Sequence, residues 1–326
     1  MSRAVLVELG AVAHAPIARS YATLIERSLD EHAALVALAG AEALIRKDGW
    51  YDAFRTGPAL AAAVADAEAR GRDFGVRFDV LDGDGVARLE PHLTERMAGA
   101  VHWSDTWTVR EPAALVAAYA DAFVAAGGTL VQGEAAVPRA AGAGWRVMAG
   151  ARPIEAAEVV IATGPWAAGM TRALGYRLPL FVKRGYHMHY AGEPGRPLGN
   201  WLADLETGYL LAPMRKGIRL TTGAELALQD APATPRQLAL DEAVARRMFP
   251  LGARLDPAPW MGSRPCTADM LPVIGPAPRH RGLWFAFGHG HQGLTLGPVT
   301  GRLLAEMITG EAPVVNPRPF FATRFV

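Results

Sequence analysis

The sequence predicts a mixed α/β fold in which an α/β region with parallel strands is interleaved along the chain with an antiparallel sheet. Residues 159–162 form a short apolar run without alternation, typical of a buried parallel strand, and end in a Thr-Gly turn. Residues 178–222 alternate apolar and polar positions, which is typical of antiparallel strands. The α/β pattern then returns, with a strand at 283–287, a glycine-rich loop at 288–293 and a helix at 298–308.

The remaining elements follow from periodicity and turn residues. Apolar residues at helical spacing predict helices at 16–39, 58–70, 113–126 and 235–248. Short apolar runs predict strands at 76–80, 98–103, 129–131 and 134–140. Asp48-Gly49 is a typical hairpin turn, so residues 43–47 and 50–55 are expected to pair with each other.

Composition excludes several classes of protein. Apolar residues make up 51% and charged residues 20% of the 326, enough for a sizeable core and too apolar for a disordered chain. A net charge of +1 without a basic block argues against nucleic-acid partners. The single Cys266 excludes an internal disulfide framework. No apolar run is long enough to span a bilayer, so we expect a cytoplasmic protein, with the inner face of the membrane as an alternative location.

The loop GHGHQG matches G-x-G-x-x-G at Gly288, Gly290 and Gly293, between a strand and a helix. Glycines allow close backbone approach to a ligand, and a helix N-terminus attracts negative charge. The short tail after residue 308 leaves no room for the second parallel strand of a nicotinamide-binding unit. We therefore favour a cofactor-facing loop of another kind, with a purely structural turn as the alternative.

Two further patterns bear on chemistry. His187/His189 and His289/His291 form H-x-H pairs, but neither pair has an accompanying carboxylate to complete a zinc site, so we predict no metal. Arg264 lies in GSRPCTADMLPVIGP, between Gly and Pro turns. An arginine held there is a candidate for binding a carboxylate through its planar fork, and an ordinary surface charge is the alternative.

These residues resemble the FAD-dependent oxidoreductases that include D-amino-acid dehydrogenases and glycine/sarcosine oxidases. The resemblance runs in order from about residue 20 to 310. The segments that carry it are 110–135, 159–167, 183–186, 206–226, 262–276 and 283–298. Of these, 262–276 and 288–297 together are the most specific.

The resemblance implies an FAD-binding Rossmann-like domain at 111–175 and 263–326, interleaved with a substrate domain at 1–110 and 176–262. Family members open with a strand, G-x-G-x-x-G and a helix, a pattern that the first thirty residues lack. The FAD-binding domain is therefore expected to be incomplete in this sequence. We expect a complementing N-terminal FAD-binding polypeptide, without which residues 1–326 hold little flavin.

The resemblance also implies roles for individual residues. Arg264 would hold the substrate carboxylate, and Tyr186, His189 and Tyr209 would face the flavin ring from the substrate-domain sheet. The cofactor would contact Val137 at its adenine end and Thr163, Gly164 and Trp166 near the phosphates. Along the flavin would lie the loop residues Gly288, His289, Gly290, His291, Gln292, Gly293 and Leu294.

The implied reaction is oxidation of the C–N bond of a small amino acid or amine to an imino acid. Oxygen or a quinone would accept the electrons. Two alternatives stay open at this point: a non-catalytic remnant or partner subunit that binds no flavin alone, and a nicotinamide enzyme that uses the 288–293 loop. The sequence distinguishes neither D-amino acid from glycine or sarcosine nor oxidase from dehydrogenase.

Overall fold

The computed structural model describes residues 3–325, with side chains from residue 15 onward. The helices are α1 (Arg3–Leu38), α2 (Gly57–Phe74), α3 (Gly83–Leu89), α4 (Pro112–Ala125), α5 (Ala167–Ala173), α6 (Arg236–Met248) and α7 (Gly293–Thr309). The strands are β1 (Ile45–Arg46), β2 (Trp50–Phe54), β3 (Asp79–Asp82), β4 (Gly99–Trp103), β5 (Thr108–Val109), β6 (Arg139–Ala141), β7 (Gly144–Ala149), β8 (Arg152–Ala156), β9 (Val159–Ile161), β10 (Leu180–Gly192), β11 (Leu202–Asp204), β12 (Tyr209–Met214), β13 (Gly217–Thr221), β14 (Glu225–Leu226), β15 (Leu251–Arg254), β16 (Trp260–Thr267), β17 (Val273–Pro276) and β18 (Leu283–Phe287).

The largest sheet is built around the long strand β10. Its strands run in the order β14-β10-β13-β12-β11-β2-β4-β3, and β15 and β16 also pair with β10. The pairs between β10 and β13 and between β12 and β13 are antiparallel, which confirms the antiparallel sheet predicted within 178–222. One face of this sheet packs against α6, where Leu238, Ala245 and Met248 are fully or almost fully buried. The other face, here called the free face, is more open, with Phe181 39% and Trp260 57% exposed.

A second, three-stranded sheet has the order β17-β18-β9. Strands β9 and β18 are parallel, with Val159 opposite Leu283, which confirms the predicted parallel pairing of strands in this region. Among the described residues β9 has β18 as its only strand neighbour, and Val160 is 39% exposed. The short apolar run is therefore an edge strand here, and only Ile161 is fully buried. A third small sheet joins β6, β7 and β8.

Helix α1 is longer than predicted and packs in an unexpected place. Tyr21 and Leu24 contact the cluster that contains Leu296 and Leu303 of α7. The helix therefore packs against the C-terminal α/β part, although we assigned residues 1–110 to the substrate domain. The strands themselves agree with the interleaving, because β2–β4 and β10–β16 share the large sheet. The exact domain boundaries stay a prediction. In the described part of the chain no helix combines the length and hydropathy needed to cross a membrane.

Some local predictions were wrong. The segments that flank Asp48-Gly49 do not pair with each other, because β1 pairs with β5 and β2 lies between β4 and β11. Residues 129–131 form no strand, and the strand predicted at 134–140 is reduced to β6 and an isolated bridge at Ala135. Helix α7 begins at Gly293, five positions before the predicted start, and contains Pro298.

Candidate active site

The free face of the large sheet is defined by the alternation of β10. Successive side chains of a strand point to opposite faces, and residues directly opposite on neighbouring strands share a face. Lys183, Gly185 and His187 of β10 lie opposite Arg264, Gly262 and Trp260 of β16. The side chains of Lys183, His187 and His189 therefore lie on the same face as Arg264, away from the core beneath α6.

Arg264 is a half-buried cation without a carboxylate partner among residues 15–325. Its guanidinium group lies over Gly185, where a Cβ would collide with it, so glycine at 185 makes the space that Arg264 occupies. Its Nη1 donates a long hydrogen bond of 3.5 Å to the carbonyl of Gly223. No ion pair joins Arg264 to any residue in 15–325. Burial lowers the pKa of Arg264. Its forked donors are thus available for an anion from outside the chain.

Tyr186 and Tyr209 lie on the opposite face of the sheet. Tyr186 Oη donates to Glu225 at 2.8 Å, and that carboxylate also pairs with Arg184. Tyr209 Oη donates to Met248 Sδ at 3.5 Å, and both tyrosines belong to the core beneath α6. The structure therefore does not support the prediction that they face the flavin ring. The physical reason is strand parity, since residue 186 is one position out of phase with 183, 187 and 189.

His189 shares the face of Arg264 but lies at the far end of β10. It is six residues beyond Lys183, about 20 Å along an extended strand. Arg219 Nε donates to His189 Nε2 at 3.0 Å, so Nε2 is the acceptor and Nδ1 carries the proton, which it donates to Asp256 at 2.8 Å. The structure places His189 in a polar network, not beside Arg264.

The H-x-H pairs form no metal cluster. Both ring nitrogens of His189 are engaged, and His187 stacks on Trp260 with ring centroids 4.6 Å apart. Burial lowers the pKa of His187 to about 4. His289 Nε2 lies 3.0 Å from Thr300 Oγ1. Over the residues that the structure describes, no group of three His, Cys, Asp or Glu side chains could hold a metal ion.

The glycine-rich loop lies directly beside β16. Gly288 and Gly290 have φ values of +84° and +58°, a backbone conformation that favours glycine. Gly290 N donates to the carbonyl of Pro265 at 2.7 Å, and His289 forms a bridge with Cys266. These contacts place the loop next to Arg264. The loop residues and the carboxylate-binding candidate are therefore brought together, as the sequence predicted.

The loop runs into the N-terminus of α7. Gln292 is at the N-cap position, makes no side-chain capping hydrogen bond, and Gly293 and Leu294 follow in the first turn. The first amides of a helix have no partner within it and carry the positive end of its dipole. Desolvation first, then the charges of Arg264 and Lys183, lower the pKa of His291. This end of the loop is thus an electropositive region with free backbone donors.

The turn after β9 contains the other predicted cofactor residues. Gly164 has a φ of +54° and no atom within 4 Å of the place where its Cβ would be. Trp166 is 68% exposed. A cavity of about 330 Å³ is lined by Gly164 and Pro165 of this turn, by the start of β10 and by Pro265, so the turn lies beside β16. Val182 and Pro265 are opposite each other and one position out of phase with Arg264, so the cavity borders the other face of these strands. Val137 lies outside the strands, before β6, and no described contact joins it to this site.

Two residues of this region were missed by the sequence reasoning. The first is His32. Because Pro298 has no N–H, the carbonyl of Leu294 lacks its helical donor, and His32 Nε2 donates to that carbonyl at 3.0 Å. Tyr119 Oη then donates to His32 Nδ1 at 2.8 Å, which joins α1, α4 and α7. Lys183 is the second. Its position two residues before Gly185 was the available signal, because strand parity gives both the same face.

Comparisons with known proteins identify the family of this chain. The model of the DAO family, described as FAD dependent oxidoreductase, matches residues 6–307. A D-amino-acid oxidase of Bradyrhizobium diazoefficiens is 32% identical over 312 residues, which cover 94% of this chain and 72% of that protein. A D-amino acid dehydrogenase of Rhizobium johnstonii is 29% identical over 86% of this chain and 68% of its own length.

A solved structure is also similar. The glycine oxidase of Geobacillus kaustophilus superposes with a TM-score of 0.78 and 26% identity, over 91% of this chain and 82% of that one. The resemblance inferred from the sequence, the mixed α/β fold class and the FAD cofactor are thereby confirmed. The chain belongs to the DAO family of FAD-dependent oxidoreductases.

Proposed function

We propose that this protein oxidises the C–N bond of a small amino acid, such as a D-amino acid or a glycine-like one, to an imino acid. The observation that carries the proposal is Arg264, a half-buried guanidinium group beside the glycine-rich loop that forms no ion pair with residues 15–325. A small amino acid always offers the carboxylate that this fork fits. Similarity to proteins named D-amino-acid oxidase, D-amino acid dehydrogenase and glycine oxidase supports the same substrate class.

The residues around Arg264 fit a flavin. The positive φ values of Gly288 and Gly290 hold the loop backbone in a form that side chains rarely adopt, which suits close approach to a flat ring. The uncapped N-terminus of α7 would lie by the pyrimidine end and favour its negative charge after reduction. The turn from Thr163 to Trp166 would hold the phosphate and ribityl part.

The chain's own residues act mainly by orientation. The fork of Arg264 binds the substrate carboxylate and so directs the Cα–H bond toward the glycine-rich loop. FAD, when bound, supplies the acceptor for the hydride that leaves Cα. The amino group loses a proton, a C=N bond forms, and water hydrolyses the imino acid to a keto acid and ammonia. No pair of acid and base side chains is required for these steps.

A second candidate function is a partner subunit that binds no flavin alone. The open edge of β9 favours it, because a parallel strand with one neighbour leaves backbone groups available for another strand. We propose that this edge pairs with a strand of a complementing FAD-binding segment. The two candidates differ in one measurement, the flavin content of purified residues 1–326 with and without added FAD.

Product analysis tests the proposed reaction. The protein, supplied with FAD, is incubated with D-amino acids, glycine and sarcosine, with oxygen or a soluble quinone as the acceptor. We expect equal amounts of keto acid and ammonia from at least one primary amino acid, and the acceptor that supports turnover separates oxidase from dehydrogenase. Flavin that is bound but yields no product with any amino acid would contradict the proposal.

A further inference from the structure

Lys183 forms a second cationic position beside Arg264. The two residues are directly opposite each other in the register of β10 and β16. In an antiparallel pair such residues have Cβ atoms about 5 Å apart and point to the same face. The face that presents the substrate-binding candidate therefore presents two positive charges from adjacent strands.

Neither charge is neutralised by the protein. Lys183 is half-buried, its nearest polar contact is Met270 Sδ at 3.8 Å, and no carboxylate in residues 15–325 pairs with it. The next residue along the strand, Arg184, shows the usual arrangement: it is 1% exposed and pairs with Glu225. A half-buried ammonium group loses part of its hydration, and an anion beside it compensates for that loss. The contrast indicates that Lys183 has a partner from outside the chain.

Both charges lie near the glycine-rich loop. Met270 lies at the glycine-rich loop, because its Cε and Cys266 Sγ are each 3.7 Å from the position that a Cβ of Gly290 would take. The Lys183 ammonium group contacts Met270 Sδ and therefore also lies near the loop. His291 of the same loop experiences the charges of both Lys183 and Arg264. Met270 has a φ of +63°, rare for a residue with a side chain. A strained backbone at this position is consistent with a functional constraint.

We propose that Lys183 is a specificity-determining residue that binds a second anionic group, so that the preferred substrates are amino acids with an acidic side chain. The proposal rests on the proposed function: the Arg264 fork takes the α-carboxylate, and the Lys183 ammonium group takes the side-chain carboxylate. A lysine is suited to this second role because it is a mobile point charge that requires no bidentate geometry. Neutral amides of the same shape place a dipole where a full negative charge fits.

The experiment compares matched substrates in matched variants. D-glutamate and D-glutamine, and D-aspartate and D-asparagine, are measured with the FAD-supplied wild type, Lys183→Met and Lys47→Met. Lys47 is the control, because it also loses a lysine charge but lies over the Trp107 ring outside this face. We expect kcat/KM for the acid to exceed that for its amide at least tenfold in the wild type and in Lys47→Met. In Lys183→Met the acid alone should lose this advantage, with unchanged flavin content and melting temperature.

A binding measurement separates this proposal from the proposed reaction. Glutarate carries one more carboxylate than butyrate, and the binding of both can be measured without turnover. Calorimetry should show at least tenfold tighter binding of glutarate to the wild type, and equal binding of both to Lys183→Met. If the wild type binds glutarate selectively but oxidises no amino acid, the assignment of Lys183 stands and the proposed reaction is wrong. Equal acid-to-amide ratios in wild type and Lys183→Met, or loss of flavin in that variant, would overturn the assignment of Lys183.

Discussion

Replacing Arg264 by alanine should remove substrate binding while leaving the fold intact. In the proposed complex the fork makes two charge-assisted hydrogen bonds to the carboxylate, and their loss costs about 2–4 kcal/mol in kcat/KM. At about 1.4 kcal/mol per factor of ten, this is a loss of roughly 30- to 900-fold. Most of it should be a rise in KM, because the carboxylate is bound before and during the reaction.

The same substitution should affect stability little. Arg264 makes no ion pair with residues 15–325, and the hydrogen bond that its guanidinium group donates to Gly223 is 3.5 Å long. Burial already lowers the pKa of Arg264, which shows that its charge is held at a cost to the folded state. Arg264→Ala removes the cost of the half-buried charge but also loses the packing of the side chain over Gly185, and these two effects oppose each other. We therefore expect the free energy of unfolding to change by less than about 1 kcal/mol.

Steady-state kinetics with several amino acids, together with flavin content and thermal melting, test this prediction. Arg264→Lys is the informative partner variant, since it keeps the charge but lacks the fork, and we expect only partial recovery of kcat/KM. A variant with an unfolded core or lost flavin would show that Arg264 is structural. Unchanged kinetics of Arg264→Ala on every amino acid that turns over would refute the carboxylate assignment.

Three further outcomes follow from the loop and the histidines. In a version extended upstream by the FAD-binding segment, Gly290→Val should abolish flavin retention at a cost of about 1–3 kcal/mol to the protein without flavin, because valine disfavours positive φ. In the same extended version Gly142→Val, at a φ of +57° in a remote turn, should retain flavin, and equal flavin content in both variants would contradict a cofactor at the loop. Burial lowers the pKa of His289 to about 4. Between pH 6.5 and 4 the unfolded chain therefore binds a proton that the folded protein does not, so the folded protein becomes less stable as the pH falls. The melting temperature of His289→Gln, which keeps a hydrogen-bond partner for Thr300, should therefore rise relative to that of the wild type as the pH falls; a pH-independent difference would contradict the assignment. Metal analysis should find no stoichiometric zinc, and zinc lost on His289→Ala would contradict the metal-free interpretation.

Much of the framework could be predicted because local pattern and tertiary structure agree. The alternation at 178–222 gives β10, β12 and β13, and the apolar run at 159–162 gives the parallel strand β9. Helix α4 begins at Pro112 and ends before Gly127-Gly128, close to the predicted bounds. The Gly- and Pro-containing segment around Arg264 and the glycines of the 288–293 loop indicated two parts of the site that the structure places side by side. The turns expected on either side of Arg264 were wrong, because Gly262 and Pro265 pair with β10 inside β16.

The errors arise where the answer depends on contacts distant in sequence. The Asp48-Gly49 turn has hairpin chemistry, but β2 finds better partners in β4 and β11. Helix α7 tolerates Pro298 because His32, 262 residues away in sequence from Leu294, replaces the missing donor. The resemblance implied that Tyr186 and Tyr209 face the flavin together with His189, whereas strand parity and α6 decide which face they occupy. Lys183 became a candidate only when its register with Arg264 was visible.

The most direct measurement is anaerobic reduction of the flavin by an amino acid, recorded as loss of the oxidised-flavin absorbance after the FAD-supplied protein is mixed with substrate. It needs no electron acceptor and reports the transfer of electrons from substrate alone. We predict that an amino acid bleaches the wild-type spectrum, and that Arg264→Ala, with the same flavin content, requires much higher substrate concentrations for the same rate. A bound flavin whose spectrum is unchanged by every amino acid, or is bleached equally well in Arg264→Ala, would contradict the account.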